Sequence, residues 1–104
     1  MSMQISIAGN FAMIDHETIT VSSSSIGATA AKIQPGGGGD AYYALFTCET
    51  VDVRFWLDGT APTSTVGHKL AVGQNLELHG KENIAKVRFI STGADATVQA
   101  SYGR

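Results

Sequence analysis

The chain predicts an all-β fold: a single-domain antiparallel β-sandwich, jelly-roll or immunoglobulin-like, of about seven or eight short strands, with a small β-barrel as the alternative. Three observations predict it. Apolar residues alternate with polar ones at period two through most of the chain, and turn-forming residues recur about every 8 to 12 positions. Gly, Ala, Ser and Thr total 44 against 24 for Leu, Ile, Val and Phe, a surplus of small residues that suits thin sheets and tight turns better than helices. At 104 residues the chain is the length of one domain, and halving it leaves pieces too small to bury a core. The prediction is one domain over residues 1–104 with a flexible glycine-rich loop at residues 34–40.

Each element follows from its own pattern. Met3, Ile5 and Ile7 alternate with Gln4 and Ser6, and Gly9-Asn10 turns the chain before Phe11 and Ile14. Ile19 and Val21 form a strand whose other face carries Thr18 and Thr20. Residues 26–33 read as a loop with a short strand, because Thr29 and the flanking Ser and Gly outweigh the alanines. Four successive glycines, Gly36 to Gly39, follow Pro35 and are too flexible for any regular element. No Lys-Ser or Lys-Thr follows them and the next segment reads as a strand, so they do not form a phosphate loop.

Residues 42–48 are apolar on both faces, with Tyr43 and Leu45 on one and Tyr42, Ala44, Phe46 and Cys48 on the other. Such a strand is covered by a loop or lends its second face to another subunit. Val53, Phe55 and Leu57 alternate with Asp52, Arg54, Trp56 and Asp58 in the cleanest strand of the chain. Residues 58–67 make a turn and a polar excursion. Apolar character resumes at residues 68–72, Gly73-Gln74 turns, and Leu76 and Leu78 point inward while Asn75, Glu77 and His79 point out. Ala85, Val87 and Phe89 alternate with Lys86 and Arg88 in a predicted strand that leaves Ile84 and Ile90 on its polar face. Val98, Ala100 and Tyr102 close the chain. The links are too short for parallel crossovers, so the strands pair antiparallel.

Composition narrows the function. Seven basic and nine acidic side chains give a net charge of −2, which provides no broad positive field for nucleic acid or an anionic membrane. The apolar stretch at residues 41–46 is far shorter than the roughly 20 residues of a membrane helix. Residues 1–14 lack Lys and Arg and are broken by Gln4, Gly9 and Asn10, unlike a signal peptide. The single cysteine, Cys48, lies in an apolar stretch and reads as a buried thiol.

No catalytic or cofactor machinery is legible. His16, His68 and His79, with Asp58, are conceivable metal ligands, but none has the spacing of a metal motif, and solvent-facing histidines explain them equally. Asp52 and Asp58 share a strand face roughly 20 Å apart, too far for a paired acid and base. Ser22 to Ser25 match no nucleophile-elbow pattern. The enzyme reading therefore needs Asp58, His68 and His79 to converge in a pocket. Trp56 with Arg54 and Asp58 is a better candidate, since an aromatic, a cation and a carboxylate on one face stack on a sugar or a partner protein. Tyr42, Phe46, Ile84 and Ile90 are apolar side chains left over once one face is filled. With Arg54 and Trp56 they form the predicted contact surface of a homo-oligomer, a trimer or another cyclic assembly.

The run Val53-Arg54-Phe55-Trp56-Leu57-Asp58-Gly59-Thr60-Ala61-Pro62-Thr63-Ser64-Thr65-Val66-Gly67-His68 resembles a pattern in small virion-associated proteins encoded among tailed-bacteriophage structural genes. Ile19-Thr20-Val21, Leu76-Glu77-Leu78 and Ser101-Tyr102-Gly103 fit the same pattern, so the resemblance covers residues 17–103; residues 1–16 and Gly36 to Gly39 depart from it. It implies a β-sandwich capsid-decoration or head-associated protein, non-enzymatic and without cofactor, made in the host cytoplasm and located in the virion. Its partners would be itself and a capsid or other virion protein, held by many weak contacts to a repetitive shell. The alternative is a carbohydrate-binding β-sandwich module that uses Trp56 and neighbouring aromatics.

Overall fold

A computed structural model of the protein describes residues 12–34 and 40–104. The strand expected around Met3 to Ile7, Phe11, and the glycine run Gly36 to Gly39 lie outside the described residues. Seven strands and two short helices follow one another: β1 (Met13–Val21), α1 (Ala30–Ile33), β2 (Tyr43–Glu49), β3 (Val53–Trp56), β4 (His68–Leu70), β5 (Asn75–His79), α2 (Lys81–Lys86), β6 (Arg88–Ser91) and β7 (Ala96–Gly103). They form two antiparallel sheets, one of four strands in the order β1-β7-β2-β5 and one of three in the order β4-β3-β6. The expected all-β sandwich is the fold of the protein.

The topology resolves the alternatives. Ile26 makes an isolated antiparallel bridge to Phe89 on the free edge of β6, the remnant of a fourth rung in the smaller sheet. With that rung counted, the chain changes sheet at every connection except β3 to β4. This back-and-forth winding is the jelly roll rather than the immunoglobulin order, and the two sheets remain separate rather than closing into a barrel.

Alternation explains which faces meet. On the inner side of the large sheet lie Ile19, Val21, Ala44, Phe46, Cys48, Leu78, Val98, Ala100 and Tyr102, all buried. Val53, Phe55, Leu70 and Phe89 answer them from the small sheet. The rings interlock edge to face: Phe46 sits 5.1 Å from Phe89 and 6.1 Å from Tyr102, centroid to centroid. Ala96 and Ala100 keep β7 thin enough for Tyr102 to lie between the sheets without overpacking.

Two expectations are corrected here. Residues 84–90 are not one strand: α2 occupies Lys81–Lys86 and only Arg88–Ser91 is extended. The helical turn rotates Ile84 inward, where it is fully buried and closes one end of the sandwich with Ile33 of α1. Residues 26–33 hold a bridge residue and one helical turn rather than a short strand. At the opposite end, Thr50 adopts a left-handed conformation with φ of 72° in the link from β2 to β3. Its hydroxyl accepts the Thr97 N–H at 3.1 Å, which holds this β-branched residue where it is disfavoured.

Candidate functional site

The outer face of the three-stranded sheet brings Arg54 and Trp56 together. Val53 and Phe55 of β3 point inward, so the residues between and after them, Arg54 and Trp56, point out. Cross-strand register places Lys69 of β4 and Ile90 of β6 on either side of Arg54, and Arg88 of β6 directly opposite Trp56. Trp56 is half-buried, its ring edge-on to His68 with centroids 5.2 Å apart and planes at 74°.

Residues 57–67, which link β3 to β4, fold back across this face as a strap. Arg54 clamps the strap: its Nη1 donates to the Gly67 carbonyl at 2.9 Å and its Nε to the Ser64 carbonyl at 3.3 Å. Gly67 has φ of +135°, and a Cβ there would meet Pro62 Cβ at 3.1 Å and the Phe55 carbonyl at 3.2 Å. Only glycine fits that crossing comfortably. Pro62 and Ser64 of the strap and Ile90 of the sheet line one shallow cleft, and Ile90 is buried although it faces outward. Ile90 does lie on a second face, as the alternation indicated, but its own chain covers it.

Arg88 ties down the neighbouring segment, donating from Nη2 to the Ser25 carbonyl at 3.0 Å and the Ser25 hydroxyl at 2.8 Å. Its Nε is buried without an acceptor. Both guanidiniums thus engage neutral oxygens. The ion pairs among the described residues join Lys32 to Asp15, Lys69 to Asp52 and Lys81 to Asp40, and none includes Arg54 or Arg88. Asp52 also accepts the Val72 N–H at 2.8 Å; that bond and Lys69 hold its carboxyl below the usual range. Asp58, at the far end of β3, accepts the Thr60 N–H at 3.0 Å in a turn, and its carboxyl is likewise lowered.

On the opposite outer face, that of the four-stranded sheet, polar groups satisfy one another. Thr18 donates to Gln99 at 2.7 Å, Thr47 to Asn75 at 2.9 Å and Gln99 to Glu49 at 3.2 Å. Tyr43 is buried on this side and donates to Glu77 at 2.6 Å. Phe46 belongs to the other side: its face is the core face, and its assignment to a contact surface is corrected by its complete burial. Facing both Ala100 of β7 and Leu76 of β5, it fills the gap between the sheets, while Tyr43 and Leu45 take the outer face.

One charged node lies at the edge of the sandwich. Glu17 of β1 accepts the Tyr102 hydroxyl at 2.6 Å, the Thr29 N–H at 3.0 Å and the Thr29 hydroxyl at 2.5 Å. Partial burial pushes its carboxyl up, but the bonds from Thr29 and Tyr102 outweigh that and hold it below the usual range. Burial, then the adjacent carboxylate, push the Tyr102 hydroxyl well up. The node docks α1 against β1 and serves the fold.

Of the six predicted contact residues, Arg54 and Trp56 share an exposed-side constellation. Tyr42 is 47% exposed just before β2, at a different place, while Phe46 and Ile84 are core and Ile90 is covered. Arg88 completes the constellation and was absent from the predicted set. Its signal was its polar position in the alternation with Val87 and Phe89, but only the pairing of β6 with β3 puts it beside Trp56. Asp58, His68 and His79 do not converge, and among the described residues no three His, Cys, Asp or Glu side chains gather as metal ligands would. Cys48 is fully buried, its thiol pushed up first by burial and donating to the Val51 carbonyl at 3.1 Å. No described helix is long and apolar enough to cross a membrane.

No protein-family model, curated protein or solved structure matches the chain.

Proposed function

We propose that the protein is a non-enzymatic structural component of a phage-like virion, a capsid-decoration or head-associated protein that self-associates as a trimer or other cyclic oligomer and adheres to a repetitive protein shell. The observation that carries this reading is the constellation of half-buried Trp56, Arg54 and Arg88 on one sheet face, an aromatic beside two guanidiniums, which are the side chains most enriched where proteins meet. The sequence resemblance over residues 17–103 gives that contact chemistry its setting, and the jelly roll is an architecture that capsid domains use. Each contact is weak by itself, and repetition over a symmetric shell makes the attachment stable.

Mass measurement in solution tests self-association. A discrete oligomer at high micromolar concentration is the expected result, and a strict monomer overturns that part of the proposal. Genomic neighbours encoding capsid, portal or tail proteins are expected; neighbours encoding metabolic enzymes overturn the virion assignment.

The braced, half-buried indole of Trp56 favours one second reading, a carbohydrate-binding module in which a sugar stacks on the ring. A glycan array and tryptophan fluorescence that both stay flat remove it.

A further inference from the structure

We infer that the chain's own residues 1–11, which lie outside the described residues, seat as an extended arm in a trough on the outer face of the four-stranded sheet. Such an arm needs no virion partner and stands whatever the outcome for self-association.

The outer face of that sheet is divided. Toward one end Thr18 bonds to Gln99 and Thr47 to Asn75. Toward the other, the outward rows are Met13, Gly103, Tyr43 and His79, then His16, Ser101, Leu45 and Glu77. Here β7, in the middle, contributes only Gly103 and Ser101, and the larger side chains on either side leave a trough of about 440 Å³ lined by Met13, Ile14, Asp15, His16, Leu45 and Ser101. The two strands that flank β7 are about 10 Å apart, which leaves room for one extended chain between their side chains.

Burial identifies the occupant. Tyr43 points outward yet is 1% exposed, and Gly103 beside it is buried although it has no side chain. Glu77, which accepts the Tyr43 hydroxyl, and His79, edge-on to its ring, lie beside Tyr43 in the sheet rather than above it. Tyr43 and Gly103 are buried within a single copy of the chain, so the chain itself supplies the cover. Two segments lie outside the described residues. Residues 35–39 are a proline and four glycines, with little side chain to lay over a ring, whereas residues 1–11 carry Met3, Ile5, Ile7 and Phe11. Ala12 exchanges both backbone hydrogen bonds with Arg104, at 2.7 and 2.9 Å, so the arm enters the sheet beside Met13, at the trough. Gly9-Asn10 is the turn that returns the arm over β7. Alternate side chains of the arm are then about 6.6 to 6.8 Å apart, the spacing of Gly103 and Ser101 beneath them. Ile7 lies over Gly103 and Ile5 over Ser101, while Gln4 and Ser6 face water.

Engineered disulfides test the seat in the full-length protein, whose single native cysteine, Cys48, is fully buried. Ile5→Cys with Ser101→Cys is oxidised after unlabelled and isotopically labelled protein have been refolded together. The expected result is a disulfide within each chain, seen by mass spectrometry as linked peptides that share one label. Ile5→Cys with Lys69→Cys, whose second cysteine lies on the outer face of the other sheet, is expected to give none. Links that mix the labels place the arm on a second copy and overturn the inference, and so does an equal yield from the two pairs or no link to Ser101. Ile5→Asp with Ile7→Asp removes the seat, because burying an unpaired carboxylate in an apolar trough is costly. Tetranitromethane then reads the cover. Wild-type protein is expected to be nitrated at exposed Tyr42 and protected at Tyr43. The aspartate variant, shown to be folded by circular dichroism, is expected to react at Tyr43 at least about tenfold faster than wild type. A folded variant whose Tyr43 stays protected overturns the inference, and the disulfide pair decides it where the aspartate variant does not fold.

Discussion

The two outer faces of the sandwich are built from the same β-alternation yet differ in how their polar groups are satisfied. On the four-stranded side, Thr18, Gln99, Glu49, Thr47, Asn75, Tyr43 and Glu77 bond to one another across the strands. On the three-stranded side, Arg54 and Arg88 reach out of the sheet to carbonyls of the strap and of Ser25, which leaves their charge without an acid. A face whose polar groups are internally paired gains little from a partner. A face whose cations lack an acid partner beside an aromatic gains more, and the proposed contact is placed on the smaller sheet for that reason.

The largest expected effect removes the floor under both faces. Phe46→Ala opens a void between Phe89 and Tyr102 and is expected to cost about 3 to 5 kcal/mol in urea unfolding. Both faces should then lose protection together. Normal stability with altered self-association would return Phe46 to a contact surface and undo the contrast.

Next comes the strap, which among the described residues crosses the face of the three-stranded sheet. Gly67→Ala forces a side chain into left-handed backbone against Pro62 and the Phe55 carbonyl, at a cost of about 1 to 3 kcal/mol. Hydrogen exchange should rise in residues 57–67 and around Ile90 while the Thr18, Gln99 and Thr47 face stays protected. Uniform loosening of both sheets would show that the strap is structural for the whole sandwich.

Glu17 gives a smaller effect, with a pH signature. Glu17→Ala leaves the buried Tyr102 hydroxyl without its acceptor and is expected to cost about 1 to 2 kcal/mol. The folded carboxyl titrates below its ordinary value of 4.5, so its contribution is present above that pH and is lost as pH falls through the lower folded value. The wild-type protein should lose stability in that acid window and Glu17→Ala should lose less. Identical acid profiles would remove Glu17 as a source of acid sensitivity.

The smallest effect is expected on the self-satisfied face. Thr47→Val removes an exposed hydroxyl bond to Asn75 and should change stability by no more than about 0.5 kcal/mol, with no change in oligomeric mass. A shift in mass would move the contact surface to the larger sheet.

Period-two alternation sufficed for β5 and β7 and for the inward residues Ile19, Val21, Val53 and Phe55, because a half-buried strand must place its apolar residues on one side; it did not show that β1 begins at Met13, and it overran β3, which ends at Trp56 with Leu57 exposed and Asp58 in a turn. It failed where both sides are apolar. In β2, Tyr43 and Phe46 are each buried, and nothing local distinguishes the core face from the outer one. It failed again at residues 81–90, where Ile84, Val87 and Ile90 fit a strand with misplaced residues as well as a helical turn followed by a short strand. For the candidate site, Arg54 and Trp56 could be read together from their spacing, whereas Arg88 lies more than thirty positions away and only pairing brings it near.

The sequence by itself determined the all-β class, the single buried thiol and the alternating face that carries Arg54 and Trp56, since each depends on neighbours a few residues apart. The tertiary structure decided the jelly-roll winding, which side of β2 is core, and that the chain's own strap covers Ile90. It also decided that Arg88 stands opposite Trp56. These depend on which distant segments meet, and that choice is fixed by the burial and hydrogen bonding of the whole sandwich rather than by any one strand.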